Sequence, residues 1–109
     1  MFFRIFENKK MYLDNYINQI KNLCLKHKVK YLFVFGSVLT ENFTDNSDID
    51  LIIDINTNDP IDYAENYFSF KFKLEDLLKR KIDLLEQKAL KNKYLIENID
   101  RTKRIIYAA

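Results

Sequence analysis

Asp48 and Asp50 stand two apart in the stretch "SDIDLIID". On an extended strand, residues at that spacing leave the same face within about 7 Å of each other. Two carboxylates so close repel and raise each other's proton affinity unless a positive charge lies between them. A divalent cation resolves the conflict, and hard oxygen ligands with several retained waters suit Mg2+. Asp54 shares the nominal face with Asp48, Asp50 and Ile52, but strand rise sets it about 13 Å from Asp50, which marks the strand's far end and a weak ligand candidate. Asp83, in "RKIDLLE", is set between Ile82 and Leu84, where a carboxylate is costly unless paired or metal-bound.

If the strand of Asp83 lies beside residues 48–54, it faces the same site. Asp48, Asp50 and Asp83 then form a triad suited to two Mg2+ ions, one gripping a triphosphate and one activating an attacking hydroxyl that Asp83 deprotonates. A bare D-x-D is common, and alone it reads as a solvated strand end. Gly36-Ser37 changes that balance. Gly36 is the only glycine in the chain and follows the hydrophobic run "KYLFVF" directly. A glycine there lets the backbone turn sharply and approach a ligand with no Cβ in the way. Successive N–H groups in such a turn make an anion nest, to which a serine hydroxyl adds a donor. The plainer alternative is a strand-to-helix turn with a serine cap.

The elements that must position these groups follow from periodicity. Residues 12–27 place Tyr12, Tyr16, Ile17, Ile20, Leu23 and Cys24 at three- and four-residue steps, an amphipathic helix. Residues 30–35 and 48–54 read as strands, the second with a polar end. "NTNDP", 56–60, is a turn cluster holding the only proline. Residues 61–80 fit two patterns. Phe68, Phe70, Phe72 and Leu74 alternate as in a strand, yet Tyr63, Tyr67, Phe70, Leu74, Leu77 and Leu78 form a helical stripe. Length decides for a helix, with Asp59 or Asp62 as its cap and Pro60 in its first turn. A strand at 81–86, a helix at 89–99 and a short strand or tail at 104–108 complete an α/β or α+β arrangement with a small sheet.

Composition sets the bounds. A chain of 109 residues suits one domain, here 1–109. Eighteen basic against sixteen acidic side chains give +2, too balanced for nucleic-acid binding through bulk charge. One cysteine, Cys24, excludes an internal disulfide, and its apolar helix face makes it a buried, inert thiol. The single histidine, His27, in "KHKVK" reads as a solvated helix end. No apolar run approaches the ~18 residues of a membrane span. The opening "MFFRIFENKKM" lacks the order of a secretion signal. These absences point to the cytoplasm and away from membranes.

Taken together, these residues resemble the minimal nucleotidyltransferase (MNT) family of the DNA-polymerase-β-like superfamily. Its signature is Gly-Ser, ten residues, then D-x-D in a hydrophobic strand, with a later single aspartate in another strand. Here Gly36 and Ser37 are followed by Val38 to Ser47 and then Asp48-Ile49-Asp50, and Asp83 in "RKIDLL" matches the later aspartate. The tail "YLIENIDRTKRIIYAA" is similar to the family's closing helix and strand, so the resemblance spans roughly residues 15–107.

The resemblance implies a nucleotidyltransferase fold, a small mixed sheet with flanking helices. It implies that Gly36 and Ser37 bind the β- and γ-phosphates of ATP. Asp48 and Asp50 would ligate Mg2+, and Asp83 would complete the site as base. The reaction would be in-line attack of an acceptor hydroxyl on the α-phosphorus, with release of pyrophosphate. Stand-alone members of this size are commonly antitoxins paired with a HEPN-domain ribonuclease toxin, transferring AMP to a toxin tyrosine and forming a hetero-oligomer with it. The family often has an arginine after the serine and a glycine a few positions on, where this chain has Val38 and Glu41. Lys71, Lys73, Lys79 and Arg80 are candidates for the missing charge, each otherwise part of a solvated face. Two further readings compete. One is a binding module that neutralises its toxin by contact, with an aromatic interface drawn from nine Phe and seven Tyr. The other is an aminoglycoside-type small-molecule transferase, which usually needs a second domain.

Overall fold

The computed structural model describes residues 12–109, so the expectation placed on the opening segment lies outside the described residues. Four strands, β1 (Val29–Phe35), β2 (Ile49–Ile55), β3 (Ile82–Glu86) and β4 (Arg104–Ala108), form one sheet in the order β3-β2-β1-β4. β1 runs antiparallel to both β2 and β4, whereas β2 and β3 are parallel. The parallel pair is possible because a long helix crosses between them. Among the described residues three α-helices accompany the sheet, α1 (Ile17–Lys26), α2 (Pro60–Leu78) and α3 (Lys93–Thr102). This is the expected small mixed sheet with flanking helices.

Helix α1 buries Ile20 and Cys24, one turn apart. It is entered through a 3-10 turn at Tyr12–Tyr16, so the α-helix proper is shorter than the 12–27 periodicity suggests. The Cys24 thiol is fully buried, and desolvation pushes its pKa up to about 12, the inert state expected of it. His27 departs from expectation. It is only 5 % exposed, because its backbone N–H closes the helix end on Leu23 and Cys24 while its ring turns inward. Nδ1 lies 2.8 Å from the Leu23 carbonyl, Nε2 lies 3.0 Å from Ser69 Oγ, and the ring meets Phe70 edge-on. A polar ring with both nitrogens partnered can be buried without the desolvation cost of an orphan group.

The ambiguity over residues 61–80 resolves as a helix. Asp59 caps α2 by accepting from the Ile61 N–H at 3.0 Å, and Pro60 occupies the first turn. Phe70, Leu74 and Leu78, at four-residue steps, are buried, whereas Phe68 and Phe72 stay 52 % and 61 % exposed. The Phe alternation therefore has no sheet to serve. α3 starts at Lys93, after Asn92 caps it through the Leu95 N–H at 3.1 Å. The helix expected over 89–99 thus begins four residues late and runs on to Thr102, and Ala89 closes a separate 3-10 turn at Gln87–Ala89 instead.

The main core joins Ile20, Cys24, Val34, Leu51, Ile53, Phe70, Leu74 and Leu84, so α1 and α2 cover one sheet face. β2 is more buried than its alternating pattern suggests. Ile52 and Asp54, assigned to the polar face, are 0 % and 5 % exposed. The reason is its place as an inner strand, with cover on both faces over most of its length.

Candidate active site

The site is built where β1 ends. Phe35, the last residue of β1, is extended, and Gly36 then takes φ +82 to open a 3-10 turn at Gly36–Leu39. That is left-handed territory, which an L side chain enters only at a cost. The turn is closed on Ser37, whose carbonyl accepts from both the Thr40 N–H and Thr40 Oγ1 at 2.9 Å. Val38 is buried at 5 % and pins the turn to the core.

The β1–β2 register sets Phe35 opposite Asp50, so the turn abuts the carboxylates. A Cβ on Gly36 would collide with Asp50 Oδ2 and sit 3.2 Å from its carboxyl carbon. The expectation was that the glycine clears space for a phosphate. It first clears space for Asp50, whose carboxylate lies against the bare Cα.

In the parallel β2–β3 ladder, Asp50 is paired in register with Asp83, and the Ile49 N–H reaches the Lys81 carbonyl at 3.1 Å to start the pairing. Asp48 lies just ahead of β2, and both it and Asp83 are exposed. Asp83 thus escapes the burial inferred from its apolar neighbours, because Ile82 and Leu84 turn inward and Asp83 turns outward. Partial burial, and then the charges of Asp83 and Asp48, hold the Asp50 carboxyl above the usual carboxylate range. This is the electrostatic conflict that the spacing implied.

Among the described residues, no three carboxylate, imidazole or thiol groups converge tightly enough to cage an ion. The three aspartates share one end of the sheet as an open, all-oxygen donor set. Such a set fits Mg2+, which retains waters and takes one or two carboxylates together with substrate phosphates. Asp54 is elsewhere. At the far end of β2 it faces Tyr31 across the ladder and pairs with Lys88 at 3.5 Å, while its Oδ1 and the Tyr63 hydroxyl are buried without hydrogen bonds.

Arg80 is the residue whose role sequence reasoning missed. Its Nη1 donates to the carbonyls of Thr44 and Ser47 at 2.8 and 2.9 Å, and its guanidinium lies over the rings of Tyr12 and Phe43 at 4.6 and 4.2 Å. With its side chain 11 % exposed, it is no part of a solvated face. It ties down the loop that delivers Asp48. The signal available in sequence was its place between α2 and β3, three residues ahead of Asp83. Lys73 and Lys79 are exposed, as expected of a solvated face, and Lys79 pairs with Asp76 at 3.5 Å.

A cavity of about 550 Å3 opens beside the turn, lined by Phe35, Gly36, Leu39 and Thr40 on one side and by Asn98, Thr102 and Arg104 on the other. That volume lies in the range of small-molecule sites.

The family described as "Polymerase beta, Nucleotidyltransferase" matches residues 18–109. Among curated relatives, the chain is 34 % identical over 92 residues to the Methanocaldococcus jannaschii protein named "Putative protein adenylyltransferase MJ0128", covering 77 % of this chain and 91 % of that one. Among solved structures, it resembles a chain of a toxin–antitoxin crystallised with AMP-PNP (TM-score 0.65, 22 % identity, covering 85 % of this chain and 73 % of that one). It also resembles a chain in the complex of the tri-AMPylated Shewanella oneidensis HEPN toxin with its MNT antitoxin (TM-score 0.59, 19 % identity, covering 88 % and 72 %). The structural likenesses establish the shared fold.

Proposed function

This chain belongs to the polymerase-β nucleotidyltransferase family and is a nucleotidyltransferase, and we propose that it is the antitoxin of a HEPN–MNT pair, transferring AMP from ATP to a tyrosine hydroxyl of its toxin. The observation that carries this reading is the in-register pairing of Asp50 with Asp83, with Asp48 just ahead and the Gly36-Ser37 turn alongside. The acceptor is inferred from company: a curated relative named for adenylyl transfer to protein, and a structural likeness drawn from a complex with an AMPylated toxin.

Asp48, Asp50 and Asp83 are the residues that would hold Mg2+. When bound, the ion neutralises the triphosphate and favours ionisation of the acceptor hydroxyl. The turn N–H groups at Gly36 and Ser37, with the serine hydroxyl, hold the β- and γ-phosphates and aim the pyrophosphate away from the acceptor. Asp50, tucked against Gly36, fixes the geometry. Asp83, exposed at the start of an edge strand, is open to the acceptor and takes its proton. The tyrosine oxygen forms a bond to the α-phosphorus as the bond to the β-phosphate oxygen breaks, and pyrophosphate departs with that electron pair.

Incubation with the HEPN protein encoded beside it, ATP and Mg2+, followed by intact-mass measurement, tests the reading. The partner should gain the mass of AMP, and the gain should vanish with Asp48→Ala. A partner that is inhibited yet unmodified would replace transfer with neutralisation by contact.

A further inference from the structure

The polyanion this site must hold meets three carboxylates and, immediately after Ser37, a buried valine, so positive charge has to come from another element. The cations around the cavity beside Gly36 are mostly spent. Arg80 is bound to loop carbonyls. Lys103 is paired with Asp100 at 2.9 Å, and Arg101 is bonded to Asn98 Oδ1 at 3.0 Å. Arg104 lines the cavity and has no ion-pair or side-chain hydrogen-bond partner among the described residues.

Its root is firm. Arg104 opens β4 opposite Val34 in the antiparallel ladder with β1, two residues short of the glycine turn. The end of α3 beside it is already quenched as an acceptor wall. Thr102 Oγ1 donates to the Asn98 carbonyl at 2.9 Å, and the Lys103 N–H to that of Ile99 at 2.8 Å. With Asn98 Oδ1 engaged by Arg101, the Asn98 amide N–H2 is the part of that side chain left to donate. A planar guanidinium on the wall of a cavity that also reaches Gly36 suits phosphate oxygens, which it can fork.

We propose that Arg104 binds the β- or γ-phosphate of the donor nucleotide from the cavity wall across from Gly36, supplying the charge that Val38 does not. This rests on the reading that a nucleoside triphosphate is the donor. Affinities for adenylyl imidodiphosphate and for AMP, each with Mg2+, are measured by calorimetry on the wild-type chain and on Arg104→Ala and Arg104→Lys, with thermal melts to verify folding. Loss of a charged phosphate contact should weaken the triphosphate analogue about tenfold in Arg104→Ala, move AMP less than about twofold, and be partly restored in Arg104→Lys. Equal affinity of Arg104→Ala and wild type for the analogue overturns the assignment, as does equal loss for AMP. A wild-type chain that binds neither nucleotide overturns the donor reading itself, and this proposal falls with it.

Discussion

Gly36 carries two constraints at once, a left-handed backbone and a missing side chain. An alanine there would cost about 1–2 kcal/mol in backbone strain alone. Its Cβ would also displace the Asp50 carboxylate. Gly36→Ala should therefore lower the unfolding free energy by that amount or more and cut AMP transfer at least about a hundredfold, since misplacement of about 1 Å at a reacting centre is that costly. Near-normal transfer by the folded variant would show that Asp50's position is not set by the glycine.

Asp50 yields a pH signature. Its folded carboxyl binds a proton more tightly than an unfolded aspartate, because of burial and the charges of Asp83 and Asp48. Between the ordinary carboxylate pKa and its raised value, the folded state holds the extra proton, so this group's contribution to stability falls as pH rises through that window. Above it, ionised Asp50 destabilises the metal-free protein. Asp50→Asn should thus melt a few degrees higher than wild type at pH 7 without metal and flatten the acid-side gain. The wild type alone should gain stability from millimolar Mg2+ through linkage. A variant that melts lower at pH 7 would sink this account. At this scale the crowding of Asp48 and Asp50 was legible in the sequence, because charge repulsion at a two-residue spacing is a local fact. The sequence could not disclose that the glycine makes room for a carboxylate, since that depends on the register of a strand thirteen residues away.

Among the elements, the loop between the glycine turn and β2 depends on a residue from the other side of the site. Arg80 bonds two of its carbonyls and lies over the neighbouring rings of Tyr12 and Phe43. Hydrogen bonds to a charged group are each worth about 1.5–3 kcal/mol when little exposed. Arg80→Ala should cost about 2–3 kcal/mol in urea melts, speed amide exchange across residues 40–48, and weaken Mg2+-dependent stabilisation by loosening Asp48. Arg80→Lys, which keeps the charge but not the fork, should fall between. Unchanged exchange in Arg80→Ala would mean that the loop stands on its own Thr44–Ser47 hydrogen bonds. Strands and helices were legible because their periodicities are properties of short windows. His27 and Arg80 were not, because each is buried by partners distant in sequence: Ser69 and Phe70 for one, Thr44 and Ser47 for the other. The alternating phenylalanines left residues 61–80 ambiguous for the same reason, since only contact with the sheet distinguishes Phe70 from Phe68 and Phe72.

The whole molecule divides its labour between two faces of one sheet. α1 and α2 pack on the face carrying Val34, Leu51 and Leu84. Strand alternation sends Asp50 and Asp83 to the other face. Stability and chemistry should therefore separate. Leu74→Ala removes a fully buried side chain from the core and should cost about 2–5 kcal/mol while leaving the turnover of folded protein within about twofold. Asp83→Asn removes an exposed carboxylate from a crowded set and should abolish transfer while leaving stability unchanged or slightly higher. With the sheet between them and no shared partner, the two changes should add within about 0.5 kcal/mol in the double variant. The cycle is read by urea denaturation without metal, with AMP transfer assayed well below each melting temperature. A coupling above about 1 kcal/mol, or a large rate loss in Leu74→Ala, would mean that packing of α2 reaches through the sheet to set the carboxylates.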